Sequence, residues 1–139
     1  MKREINFRVW DKRKHEMFGV EQLAFDQRGN LDSVYCDGPD FSNDQDALMG
    51  EKPDLDMAVL MQYTGLRDKN GREIYEGDIL DIGLQNQDGK PVIAPVSYEK
   101  YAAGYVLDNG GNGIWQRLTE DCEVIGNIFE NPELLEAGK

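Results

Sequence analysis

Residues suited to proton-transfer chemistry are concentrated in one stretch near the middle of the chain. Glu73, Glu76 and Asp78 are close in sequence to one another and to Tyr63 and Tyr75. Paired carboxylates can act as general acid and base when their surroundings separate their pKa values. The Glu-Gly-Asp step is explained more simply as a turn into a strand, because aspartate accepts hydrogen bonds from nearby backbone amides. We expect a structural role first, a protein contact second and catalysis last.

The rest of the sequence offers few groups for catalysis or metal binding. His15 is the single histidine, and Cys36 and Cys122 are far apart with no Cys-x-x-Cys spacing. Nucleophilic and zinc chemistry both need such groups in defined combinations. We therefore predict no catalytic residues, no metal site and no cofactor, and expect a protein that is not an enzyme. The cysteines are expected to be buried free thiols in a reducing cytoplasm.

The net charge of −12 excludes several kinds of partner. Nucleic-acid affinity comes mainly from Lys and Arg on phosphates, so direct nucleic-acid binding is disfavoured. Basic residues gather at Lys2, Arg3, Arg8 and 12–14, where a solvated hairpin surface is favoured over a small phosphate patch. No apolar run approaches the ~18 residues of a membrane span, so no membrane partner is expected.

The strands that would position these residues begin near the amino terminus. Ile5, Phe7 and Val9 alternate with polar neighbours, which is typical of a half-buried strand. Trp10 falls on the nominally exposed face, where it either covers a second layer or marks a contact surface. Residues 16–20 and 23–25 are expected to be further strands.

The central hairpin is predicted from its turn residues. The apolar run 57–63 is joined to a second one, 79–84, through Gly65, the Asn70-Gly71 pair and Gly77. Asn-Gly fits a type I′ turn, which needs two consecutive positions with positive φ. We assign Gly65, Asn70, Gly71 and Gly77 to structural turns.

Turn residues punctuate the remaining chain into short strands. A hairpin is predicted around 27–30, with residues 31–36 as its second strand. Later strands are expected at 92–98, 104–107, 114–118 and 123–129. Pro95 predicts an edge strand or a bulge, because proline cannot donate to a ladder. Asn131 and Pro132 begin a short helix.

The predicted domain organisation has three parts. Residues 1–36 form an amino-terminal β unit, and residues 57–139 form a small barrel that ends in the helical turn. The acidic segment 37–56 connects them, with room for one helical turn capped by Ser42 or Asn43.

Three separated motifs carry a family resemblance: INFRVWD at 5–11; MQYTGL at 61–66 with DKNG at 68–71 and YEGDI at 75–79; and VIGNIFENPELL at 124–135. In these motifs the chain resembles the YopX family of phage and prophage proteins. The resemblance implies a small, strongly bent β-barrel of the Src-homology-3-like type in the carboxy-terminal half, with an amino-terminal β unit packed on it. It implies nothing about activity.

Two function classes fit the sequence. The first is a non-enzymatic phage or prophage accessory protein that binds an unknown host or phage protein through side chains that include Trp10, Tyr63, Tyr75, Glu76 and Asp78. The second is an acidic mimic of nucleic acid that occupies a DNA-binding protein. An uncharacterised enzyme is a remote third, and a homo-oligomer stays open. The expected location is the host cytoplasm.

Overall fold

The computed structural model describes residues 4–36, 53–85, 87–100, 102–108, 115–117 and 120–137. These residues form strands in two antiparallel sheets, and the chain ends in one short helix, α1 (Glu133–Ala137). The prediction of a mainly β protein with a short carboxy-terminal helix is confirmed. The strand orders do not by themselves establish a closed barrel, so the Src-homology-3-like barrel stays a prediction.

The chain divides into two compact units. We call Asn6–Met61 the amino-terminal unit, and Gln62–Lys139 together with Met1–Ile5 the carboxy-terminal unit. The predicted acidic connection, 37–56, lies largely outside the described residues, as do its proposed caps at Ser42 and Asn43. Its described end contains a 3₁₀ turn, Leu55–Met57, in which the Asp54 carboxylate accepts the Asp56 amide at 3.0 Å.

The amino-terminal unit contains three complete strands and the start of a fourth. They are β1 (Phe7–Asp11), β2 (Glu16–Phe25), β3 (Leu31–Cys36) and the first part of β4 (Ala58–Arg67), in the order β3-β2-β1-β4. The expectation of separate strands at 16–20 and 23–25 was wrong. Register shifts between Val20 and Gln22, and again between Ala24 and Phe25, let one strand absorb the interruption.

The core of this unit follows from the alternation seen in the sequence. Val9, Val34 and Cys36 are buried at its centre. Further apolar residues pack around them: Phe18, Val20, Leu23, Leu31, Ala58 and Leu60. Removing such surface from water provides most of the stabilisation of a small sheet.

An aspartate organises the turn between β1 and β2. Asp11 Oδ1 accepts the amides of Arg13 (2.9 Å) and Lys14 (3.2 Å), and the Asp11 carbonyl accepts the amide of His15 at 2.8 Å. His15 has φ +54°, a left-handed conformation that is uncommon for a residue other than glycine. The buried Asp11 therefore holds the loop at one end, and residues 12–15 of the loop are exposed.

The turn between β2 and β3 confirms the predicted hairpin. We call residues 26–30 the Asp26 turn. Asp26 Oδ1 accepts the amides of Arg28 (2.8 Å) and Asn30 (2.9 Å), and the Asp26 carbonyl accepts the amide of Gly29 at 3.1 Å. Gly29 supplies the positive φ of +85°.

The carboxy-terminal unit contains the end of β4 paired with β5 (Glu73–Tyr75), and a second sheet with the order β10-β6-β7-β8-β9. The strands of that sheet are β6 (Asp78–Gln85), β7 (Pro91–Glu99), β8 (Gly104–Asp108), β9 (Trp115–Arg117) and β10 (Glu123–Asn127). Its core contains Ile74, Leu80, Ala94, Val96, Leu107, Cys122 and Val124. The predicted glycine-rich loop before β9 lies outside the described residues.

The central hairpin is present, but its predicted turn type was wrong. Strands β4 and β5 pair through Tyr63↔Tyr75 and Arg67↔Glu73, with residues 68–72 between them. Gly71 has φ +83°, whereas Asn70 does not have a positive φ, so the type I′ assignment fails. The Asp68 amide donates to the Arg72 carbonyl at 2.9 Å, and the Gly71 amide donates to the Asp68 carbonyl at 3.0 Å, so the loop itself is residues 69–71. This is the usual three-residue hairpin, a type I turn followed by a left-handed glycine.

Pro95 occupies a different position from the one its chemistry predicted. Strand β7 lies between β6 and β8, so it is not an edge strand, and the β6–β7 register shift falls between residues 91 and 93 rather than at Pro95. Pro95 pairs with Ile79 and lies just outside the β7–β8 pairs, which run from Val96↔Leu107 to Glu99↔Gly104. The backbone N–H that Pro95 lacks would therefore lie at the end of the β7–β8 ladder.

Candidate functional site

Four of the five predicted contact residues lie in the carboxy-terminal unit. Tyr63 and Tyr75 are directly opposite each other on β4 and β5, with ring centroids 5.6 Å apart and planes tilted by 40°. Tyr63 is buried, and burial raises its pKa, while Tyr75 is half-buried. Tyr75 is therefore the member of this pair with surface to offer a partner.

Glu76 makes two hydrogen bonds with the backbone of β4. Its Oε1 accepts the Gln62 amide at 2.9 Å, and its own amide donates to the Gln62 carbonyl at 3.0 Å. The Gln62 side chain in turn accepts the Tyr105 hydroxyl at 3.1 Å, and the Tyr105 ring meets the Tyr98 ring edge-on at 5.5 Å. The Glu76 carboxylate oxygen thus accepts a backbone amide of β4, as the backbone carbonyl of a neighbouring strand would do.

Asp78 also acts on the backbone. Its Oδ2 accepts the Tyr75 amide at 2.8 Å, and the side chain is almost completely buried. Gly77 has φ +83°; its amide donates to Val96, and its carbonyl accepts the amide of Ile128, both at 2.9 Å. The Glu-Gly-Asp step therefore links β5, β7 and the segment after β10.

We use the name tyrosine row for four tyrosines of this region, one buried and three half-buried or exposed, together with the two residues that connect them. The row consists of Tyr63, Tyr75, Tyr98 and Tyr105, joined through Gln62 and Glu76. Tyr98 is 52% exposed and ends the row at the surface. Sequence reasoning identified Tyr63, Tyr75 and Glu76 but missed Tyr98, Tyr105 and Gln62, because their link depends on which strands are neighbours.

Trp10 lies in the other unit, so the structure does not group it with these four residues. Its side chain is only 5% exposed, and its ring meets His15 edge-on with centroids 5.6 Å apart. Its position fits the covering role better than that of an exposed anchor.

Asp68 is a structural centre that sequence reasoning did not single out. We call residues 68–72 the Asp68 turn. Asp68 Oδ1 accepts the amides of Asn70 and Arg72, each at 2.9 Å, and Oδ2 accepts the amide of Val124 on β10 at 2.9 Å. Arg72 reaches the same strand, donating to the Val124 carbonyl at 3.2 Å.

The protonation state of Asp68 is set by these bonds. Burial alone would raise its pKa, but the amides of Val124, Arg72 and Asn70, followed by the Arg72 charge, hold the pKa below the usual carboxyl value. The available signal in the sequence was the Asp-x-x-Gly spacing, which residues 26–29 share.

The closing motif is built around Asn127. Its Oδ1 accepts the amides of Phe129 (3.0 Å) and Glu130 (2.8 Å), and its own amide donates to Asn131 Oδ1 at 3.2 Å. A Cβ placed on Gly126 would lie 2.6 Å from Asn131 Oδ1, so only glycine fits there without a rearrangement. Asn131 thus bonds backwards to β10 as well as preceding α1.

The two cysteines are buried free thiols, as predicted. Cys36 lies in the amino-terminal unit and Cys122 in the carboxy-terminal unit. Burial, and then the nearby Asp68 charge, raise the pKa of the Cys122 thiol, which makes it a poor nucleophile near neutral pH.

In the ranges that the structure describes, no group of three or more His, Cys, Asp or Glu side chains is placed to hold a metal ion. Within the same ranges, no helix combines the length and apolar character needed to cross a bilayer.

The amino-terminal unit contains a shallow cavity of about 420 Å³. Its lining consists of Arg13, Asp32, Ser33 and residues 53–56. Arg13 lies 3.9 Å from Asp54 across this lining, and both side chains are mostly exposed. Water therefore weakens this ion pair.

Comparison with known proteins identifies the family of this chain and a similar solved structure. The family model described as "YopX protein" matches residues 6–136. The crystal structure of protein EF1440 from Enterococcus faecalis is similar, with 28% identity and a TM-score of 0.65, over 96% of this chain and 99% of that one. No curated protein matches the chain.

Proposed function

The chain belongs to the YopX family, and from this premise we propose that it is a non-enzymatic accessory protein of a phage or prophage that binds another protein. The tyrosine row is the observation that carries this proposal. Tyrosine is enriched at binding hot spots because it combines a large apolar ring with a polar end and has few side-chain torsions to immobilise.

The tyrosine row has the composition of a binding hot spot. Tyr98 is exposed, Tyr75 and Tyr105 are half-buried, and the Gln62 side chain adds a polar group that accepts the Tyr105 hydroxyl. The edge-on contact with Tyr105 holds the Tyr98 ring before any partner arrives. Pre-organised side chains lose less entropy on binding, so these tyrosines suit recognition.

The carboxylates of the same region support binding over catalysis. Glu76 accepts the backbone amide of Gln62, and Asp78 accepts that of Tyr75. A general acid or base must exchange protons with a substrate, whereas an acceptor committed to an amide stabilises the fold.

The acidic mimic of nucleic acid is the second candidate, and one observation favours it. Asp81 and Glu123 are directly opposite on β6 and β10, an arrangement of like charges that costs stability. Glu123 also lies 3.6 Å from Lys69, which offsets part of that charge. We therefore rank this candidate below protein binding through tyrosine.

The test is affinity capture from infected or lysogenic cells, followed by mass spectrometry, with three baits. The baits are the natural chain, Tyr98→Ala, and Leu84→Ala as a matched control, since Leu84 is another exposed apolar residue of the same unit. We expect a partner that the natural chain and Leu84→Ala retain and Tyr98→Ala loses.

Salt separates the two candidates in the same experiment. A complex anchored by tyrosine should survive a change from about 50 to about 200 mM salt, whereas a mimic of nucleic acid should lose its partner as DNA complexes do. A partner retained equally by all three baits would contradict the proposal, and so would one that is lost at the higher salt.

A further inference from the structure

We infer that the β1–β2 hairpin tip is a second interaction surface, which binds a carboxylate-rich segment of a protein. We call residues Lys12, Arg13, Lys14 and His15 the basic tip. All four side chains are exposed, in a chain whose net charge is −12. This inference concerns the amino-terminal unit and does not depend on the tyrosine row.

The tip concentrates positive charge because its own aspartate is buried. The Asp11 carboxylate is 5% exposed and holds the amides of Arg13 and Lys14. Asp11 therefore fixes the conformation of the loop from its buried side. A second backbone bond, from the Lys12 amide to the Met57 carbonyl at 2.8 Å, holds the near side of the loop.

The cationic side chains are placed by contacts of their own. The Lys14 ammonium lies 5.9 Å from the centre of the Phe18 ring, within the range of a cation–π contact. Arg13 points towards Asp54 at 3.9 Å. These contacts are weak and exposed, so a partner carboxylate can replace or join them at little cost.

The conformation of His15 is a further indication that side chains are required at this tip. It adopts φ +54° four residues after Asp11, whereas the left-handed residue of the Asp26 turn is a glycine, Gly29 at φ +85°, three residues after its aspartate. A residue with a Cβ is strained in the left-handed conformation, and such outliers concentrate at functional sites. Here the imidazole covers the edge of Trp10.

Two features favour an acidic polypeptide over a nucleic acid. Single-stranded nucleic acids bind where aromatic faces are free to stack on bases, but Trp10 is covered and 5% exposed. Asp32, Asp54 and Asp56 line the cavity beside Arg13 and would repel any anionic chain that extended beyond the tip, which excludes a long phosphate backbone but leaves room for a short acidic segment. The cationic footprint is thus limited to one loop, which fits a short run of glutamate or aspartate.

The test measures binding of an octaglutamate peptide to the full chain at low salt by calorimetry. Lys12→Glu should weaken binding about tenfold, because it removes one attraction and adds one repulsion. The matched control is Arg28→Glu, which makes the same charge change at the exposed Asp26 turn of the same unit. It should change the affinity by less than about twofold.

A third variant moves the affinity in the opposite direction. Asp54→Asn keeps an oxygen that can accept the Asp56 amide but removes the charge next to Arg13, so it should tighten binding about threefold. Loss of folding could not produce that gain. The inference fails if octaglutamate does not bind, if Lys12→Glu and Arg28→Glu weaken binding equally, if Asp54→Asn has no effect, or if a DNA oligonucleotide of equal charge binds more tightly than the peptide.

Discussion

The Asp26 turn and the Asp68 turn share one pattern of local hydrogen bonds but lie in different environments, one exposed and one buried. Each has an aspartate whose Oδ1 accepts two amides of the loop, and each has a glycine at positive φ three residues later. The two aspartates differ in the environment and hydrogen-bond partner of their Oδ2 atoms. Asp26 Oδ2 is exposed and lies 3.5 Å from the Asn30 side chain, whereas Asp68 Oδ2 is buried and holds the Val124 amide.

The difference shows that the same turn can close a hairpin or join distant strands. Backbone amides, Asn30 first and then Arg28, hold the pKa of Asp26 below its usual value, and amides do the same for Asp68 against the opposing effect of burial. The local bonds account for the shape of both turns. Only the Asp68 turn adds a bond to a strand 56 residues away.

The largest expected effect is the loss of that added bond. Asp68→Ala should lower the free energy of unfolding by about 3 kcal/mol, because the buried Val124 amide loses its acceptor along with two amides of the loop. Asp26→Ala is the control and should lower it much less, since water can solvate its exposed amides. Urea unfolding measures both, and equal losses would mean that the turns do not differ in the way described.

The glycines should behave alike, because their strain is local. Gly71→Val and Gly29→Val each force a β-branched residue to positive φ, at a cost of about 2 kcal/mol. Neither position has an atom within 4 Å of an added Cβ, so clashes do not complicate the result. The variants Gly71→Asn and Gly29→Asn should recover part of the loss. Unequal melting temperatures for the two valine variants would show that strain is not confined to the loop.

Acid should remove the Asp68 contribution. A carboxyl whose folded pKa is lowered stabilises the fold above its unfolded pKa, here near 3.8, and the contribution is lost as the pH falls through the folded pKa. Below pH 4 the stability of the natural chain should therefore fall by up to about 1.4 kcal/mol per pH unit for this group. Asp68→Asn should give a shallower slope in a series of urea unfolding curves. An unchanged slope would show that Asp68 does not titrate as described.

The smallest effect is expected for the ion pair that joins the same two segments at the surface. Lys69 and Glu123 are 3.6 Å apart and both are substantially exposed. Lys69→Ala should change the stability by less than about 0.5 kcal/mol, because exposed pairs are screened and lose side-chain entropy. A loss of stability comparable to that of Asp68→Ala would show that this exposed ion pair stabilises the fold as much as the buried hydrogen bonds of Asp68.

Much of the strand layout could be predicted because local signals specify it. Residues 31–36 were predicted as β3 with its observed bounds, since Gly29 and Asn30 mark the preceding turn. The Asn70-Gly71 turn was located correctly, but its type was not. The Asp68 carboxylate fixes the loop, and only Gly71 needs the left-handed conformation.

What could not be predicted depends on which distant segments meet. The central position of Pro95 requires knowing that β7 lies between β6 and β8. The link from Asp68 to Val124 and the link from Tyr105 to Gln62 join residues far apart in sequence. No periodicity or turn signal encodes such pairs, so the tyrosine row could be assembled only from coordinates.

The long reach of the Asp68 carboxylate bears on the order in which the chain acquires its shape. While the polypeptide is being synthesised, at roughly 5–20 residues per second, the loop around Asp68 emerges well before Val124 does. Nascent chains therefore pass through a stage in which the Asp68 Oδ2 atom lacks its Val124 donor, and β10 can pair with β6 only after residues 123–127 have been synthesised. A product truncated before Glu123 would leave the β6 edge of the sheet without its β10 neighbour.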